Sequence, residues 1–133
     1  MAVTHSDTIR NGLANLVVDA IDTAGGAGKI LFTTGSASNT GVIATLTFAA
    51  TAFGDAGAGT NPVGRCTANA IVPDTNAALG TVAFFHVQTF GSADIFSGSV
   101  SQVGGGGDIV LSSVAIGSGD TISITSLNYT SSA

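Results

Sequence analysis

AIDTAGGAGKILFTTGS, residues 20–36, sets three glycines in front of a lysine and an apolar run. A phosphate-cradling loop would need a glycine at position 23, a Ser or Thr at position 30, a strand before it and a helix after it. Thr23 and Ile30 occupy those positions, and the flanking patterns run the other way round. The stretch therefore predicts a handover from helix to strand, with Lys29 as a lone basic residue at a strand start.

Upstream, Ile9, Leu13, Leu16, Val17, Ala20 and Ile21 recur at helical spacing, which predicts an amphipathic helix over about 6–22 with these residues on its buried face. Ser6 or Thr4 can cap its start, Asp7 suits the first turn, and the glycines after Thr23 can end it. Downstream, the pattern predicts strands at 29–34, 42–49, 66–72, 80–90, 94–100, 108–113 and 121–130. Ala44, Leu46 and Phe48 alternate with Thr45 and Thr47, as in a half-buried strand. The run Val82, Phe84, His86, Gln88 against Ala83, Phe85, Val87, Thr89 is apolar on both faces for part of its length, which predicts a central strand. The change of phase between Ile122, Ile124 and Leu127, Tyr129 predicts a bulge near Thr125 or Ser126, or a bend between two sheets. Between the strands there is no room for helical crossovers, so all pairing is expected to be antiparallel. The fold class is then mainly β: one domain over 1–133, an antiparallel β-sandwich or jelly-roll-like body at about 29–130 behind one N-terminal helix. The irregular segment 49–65 is expected to form an exposed contact arm.

Only 8% of the 133 residues are charged, and the net charge is −5. Three basic residues against eight acidic ones argue against binding nucleic acid through its phosphates. The start MAVTHSDTIRNGL lacks the pattern of a secretion signal and is expected to be the true start of an unprocessed chain made in the cytoplasm. No apolar run reaches the length of a membrane helix, so no membrane partner is expected. Cys66, the lone cysteine, is expected to be a buried small hydrophobe.

No catalytic, cofactor-binding or metal-ligating residue is assigned. The two histidines, His5 and His86, are scattered and no GxSxG elbow accompanies the serines. The carboxylates are all aspartates, and Asp55, Asp74, Asp94, Asp108 and Asp120 stand at predicted turns, where Asp accepts local backbone bonds. No enzymatic activity is expected.

The order of DTIRNGLANLVVDAID, GGAGKILFTTGS, VIATLTFAATAFG, TVAFFHVQTF, IFSGSVS and GGGGDIVLSSVAIGSGDTISITSLNYT resembles small structural proteins of tailed bacteriophages, including capsid decoration (cement) proteins. The resemblance spans nearly the whole chain and rests on no catalytic motif. It implies a virion location on the outer capsid surface, the major capsid protein as partner, and a homodimer or homotrimer. The rival expectation is a tail, baseplate or receptor-binding module using the 49–65 segment. A lack of Trp, with Tyr129 the one tyrosine, weakens glycan stacking as its mode of recognition.

Overall fold

A computed structural model describes residues 3–37, 39–59, 62–124 and 126–131. Helix α1 spans Asp7–Asp19, with Ser6 Oγ accepting the Ile9 N–H at its start, and continues as a 3-10 turn, Ala20–Asp22. The chain reverses through Gly25, whose φ of 79° is in the left-handed region that glycine adopts without steric penalty. Strand β1, Lys29–Thr33, follows at once. The opening stretch is therefore a helix-to-strand corner, and Lys29 donates to Ser92 Oγ at 2.7 Å.

The remaining strands are β2 (Val42–Thr47), β3 (Arg65–Thr67), β4 (Gly80–Thr81), β5 (Phe84–Gln88), β6 (Asp94–Gln102), β7 (Ile109–Leu111), β8 (Ala115–Ile116) and β9 (Asn128–Thr130). The chain is mainly β, with one N-terminal helix and a curled sheet in the order β2-β1-β5-β6-β7. Two small pairs, β3-β9 and β4-β8, accompany it. β5 is the central strand, as its two-sided apolar pattern predicts. Ile30, Phe32, Ala44, Leu46 and Val87 pack on one face of the sheet, while Thr45 and Thr47 are exposed on the other. Leu31, Thr33, His86 and Gln88 on that other face are buried as well. Two-sided burial is what a continuous run such as KILF signals.

Pairing departs from the all-antiparallel expectation at one place. β6 and β7 are parallel, with Val100 opposite Ile109 and Gln102 opposite Leu111. A regular crossover takes a dozen or more residues. Here the glycines Gly104 to Gly107 coil the chain back in far fewer. Gly104 and Gly106 take φ of 91° and 77°, and Gly107 lies so close to Ser101 that an added Cβ would stand 2.7 Å from the Ser101 nitrogen. Ser101 Oγ accepts the Gly107 N–H at 2.8 Å and locks the coil.

The expected strands also shorten. Residues 80–90 divide into β4 and β5, because Val82 N and Ala83 N donate to Val114 and Thr33, on different neighbours. Of 66–72, only the first two residues belong to a strand, and Val72 forms an isolated bridge to Thr47. Of 121–130, Ile122 bridges Asp74 and only Asn128–Thr130 is a strand. Thr125, half of the predicted bulge, lies outside the described residues.

Candidate interaction surface

The helix turns its predicted face outward. Ile9, Leu13 and Leu16 are 50%, 37% and 70% exposed, whereas Ala14, Val18 and Ile21 are buried. At 100° per residue the two sets lie on nearly opposite sides of α1. Of the six residues expected inside, only Ile21 reaches the core.

Polar side chains explain the choice of face. Asn11 and Asn15, one turn apart, flank the buried stripe and accept backbone N–H groups from the 49–65 segment. Asn15 Oδ1 accepts Ala56 N–H at 2.8 Å, and Asn11 Oδ1 accepts Gly64 N–H at 2.8 Å. Beyond the helix, both Asp22 oxygens lie 3.2 Å from Ala52 N. Loop donors without a regular partner are costly to bury. Turning Asn11 and Asn15 outward would orphan them, so the helix turns Ile9, Leu13 and Leu16 outward instead.

The same bonds correct the expectation of an exposed arm at 49–65. Ala52, Phe53 and Ala56 are core residues, and Phe53 packs on Phe48 with ring centroids 5.5 Å apart. Asn15→Ala is expected to cost about 1–3 kcal/mol by leaving the Ala56 N–H without its acceptor. Chemical denaturation checks this, and limited proteolysis should show faster cutting at 57–59. Unchanged stability would mean that the Asn15 bond does not hold the segment.

The outward stripe has the shape of a docking strip. Ile9, Leu13 and Leu16, with half-buried Ala20 in the 3-10 turn beyond them, are spaced 4, 3 and 4 residues apart, the seam spacing of paired helices. They extend about 17 Å along the axis at 1.5 Å per residue. Gly12 lies beside them with nothing within 4 Å of where its Cβ would be, so a partner backbone can approach closely. None of the four carries a charge.

The far end of α1 is acidic. Asp19 lies in its last turn, where no basic residue offsets the helix dipole. Partial burial raises the Asp19 carboxyl above its ordinary value, with Asp55 and Asp22 adding repulsion. A raised folded-state pKa means that the folded chain keeps a proton the unfolded chain has lost, so stability falls as pH rises above 3.8 and stays lower at neutral pH. Asp19→Asn is therefore expected to raise Tm at pH 7, by a small amount because solvent screens this exposed group. The gain should vanish below pH 3.8. A Tm loss at pH 7 would contradict this electrostatic reading.

Other chemistry-bearing residues are placed as follows. Cys66 is fully buried, with Sγ 3.5 Å from Asn15 Oδ1. Burial pushes its thiol up, against an opposing bond with the Ala56 backbone, and keeps it in the poorly nucleophilic thiol form. His86 is 3% exposed, with Nδ1 4.0 Å from Asp94 Oδ2. Among the described residues neither of its ring nitrogens has a hydrogen-bond partner. Gln88 Nε2 donates to Asp94 Oδ1 at 2.6 Å and Asn39 Oδ1 at 3.3 Å. Asp74 accepts the N–H groups of Asn76 and Thr45, Asp120 that of Gly117, and Asp108 that of Ser99. Among the described residues no group of three or more His, Cys, Asp or Glu is arranged to hold a metal ion, and no helix is long and apolar enough to cross a membrane.

Comparison of the chain with protein-family models, with curated proteins and with solved structures gives no significant match.

Proposed function

We propose that the chain is a non-enzymatic structural protein that binds and stabilises the capsid shell of a tailed bacteriophage, as a decoration or cement protein. The observation that carries this reading is the outward apolar face of α1. A free monomer gains nothing from exposing Ile9, Leu13 and Leu16 along one line, whereas a partner that covers them gains about 25 cal/mol for each Å² removed from water. The low charge supports the same reading, since such contacts depend little on ionic attraction. Repetition over a symmetric shell multiplies a modest single contact through avidity.

In this proposal the major capsid protein is the partner, the outer capsid surface is the location, and a homodimer or homotrimer straddles neighbouring subunits. The pairs β3-β9 and β4-β8 close over the five-stranded sheet as a jelly-roll-like sandwich. Cys66, Ile116 and Ile122 support that closure, because they join the core cluster that holds Ile30 and Phe32.

Co-sedimentation with undecorated shells is the test. Stoichiometric binding that changes little between low and moderate salt is expected. No sedimentation with the shells at any salt would overturn the proposal.

A further inference from the structure

The curled sheet ends on β7, which among the described residues pairs only with β6. An unpaired strand edge presents a row of backbone donors and acceptors that can template another strand. Beside this edge, and running in the opposite direction, lie residues 121–124 and 126–127. Their outer side is already engaged. Ile122 exchanges both backbone bonds with Asp74, and the Leu127 carbonyl accepts Ala68 N–H at 2.8 Å.

Between β7 and these residues lie two adjoining half-open cavities of about 620 and 340 Å³. They share Val110, Leu111 and Ser123, so they form one groove along β7. Both volumes are in the ~300–1,000 Å³ range of ligand clefts. Buried Ile109, Ile116 and Ile122 line it, Val110 is half-exposed in its middle, and serine hydroxyls are interspersed. Asp120 lies in one cavity and Asp108 in the other, on either side of the shared middle. No Lys, Arg or His is among the described residues lining either cavity.

We infer that this groove takes an extended polypeptide segment of another protein, apolar on alternate residues and basic at its ends, which adds to β7 as a further strand. Main-chain bonds to the free edge provide the affinity of such strand addition, and side-chain pockets provide its selectivity. The two aspartates call for cationic flanks. A second copy of this chain is a poor donor, since it has three Lys or Arg residues and a net charge of −5. The inference is independent of the shell reading, which rests on α1.

The probe is the blocked hexapeptide Lys-Val-Thr-Val-Thr-Lys, titrated into the ¹⁵N-labelled full chain and followed by amide chemical shifts. Saturable shifts confined to 109–112, 121–124 and 126–127 are expected. Replacing both lysines by glutamates should weaken binding about tenfold at low salt, and replacing both threonines by prolines should abolish it, since proline cannot donate to a ladder. Val110→Lys, at a half-exposed position that leaves the core intact, should also weaken binding about tenfold. Leu16→Glu should bind the peptide like the unmodified chain. Absence of shifts at millimolar peptide, shifts centred elsewhere, or equal binding of the proline peptide would each overturn the inference.

Discussion

Gly28→Ala is expected to destabilise the fold by about 2–3 kcal/mol, more than the same substitution at the exposed Gly25. Gly28 is buried, and a Cβ there would overlap the Ile21 Cγ2 methyl and stand 2.8 Å from the Gln88 carbonyl oxygen. Neither neighbour yields cheaply. Ile21 is a fully buried core residue at the end of the helical segment, and Gln88 is fixed in β5 opposite Lys29. The Gly28 carbonyl in turn accepts Phe48 N–H at 2.9 Å, so the backbone cannot swing away without breaking the start of the sheet. Gly25→Ala is the control. Its φ of 79° costs an alanine about 1–2 kcal/mol, but nothing lies within 4 Å of the added methyl. Two glycines of one triplet are therefore required for different reasons, one for its conformation and one for its lack of volume. Urea denaturation of both variants measures the difference. A Gly28→Ala cost no greater than that of Gly25→Ala would mean that the corner relaxes and that Ile21 does not press on it.

Leu16→Glu is expected to leave folding stability within about 0.5 kcal/mol of the unmodified chain, because Leu16 is 70% exposed and glutamate is a good helix former. Shell binding should fall about 30-fold or more, the loss that goes with a central anchor residue worth about 2 kcal/mol. The sign follows from desolvation. On binding, a carboxylate at position 16 of the apolar stripe would be buried against apolar surface without a partner. Thr8→Glu, on the same helix but outside the stripe, should bind almost normally. Normal binding by Leu16→Glu would remove α1 from the contact, whereas loss of folding would show that the stripe is part of the intramolecular core after all.

The helix itself was legible in the sequence because Ser6, Asp7 and the 3–4 spacing of apolar residues all indicate the same element. The choice of its buried face was not. Ile9, Leu13, Leu16 and Ala14, Val18, Ile21 are both spaced as helical stripes, and hydropathy favours the first set. The deciding residues are Asn11 and Asn15, whose amides bond to loop backbone 41 and 53 residues away in sequence. A polar residue that binds distant backbone registers in a periodicity count as a mark of solvent exposure, although here it marks the buried side.

A similar limit governs the sheet. Alternation in VIATLTFA indicates which residues of β2 are inside, because that information is local. The parallel pairing of β6 with β7 depends on Gly105 and Gly107 fitting against Ser101, and a glycine run is equally compatible with an ordinary hairpin. The groove beside β7 was equally hidden, since it arises from two segments, 108–113 and 121–128, that both read as paired strands. Its one sequence signal is the break of phase between Ile124 and Leu127.

Imaging of intact particles at a resolution that distinguishes helices tests most directly whether α1 is the shell-binding face. The proposal predicts density for this chain on the outer capsid surface, with Ile9, Leu13 and Leu16 turned against a capsid subunit or a neighbouring copy seated on the shell. Density confined to the tail, or a shell-bound chain whose α1 stripe faces solvent, would contradict it.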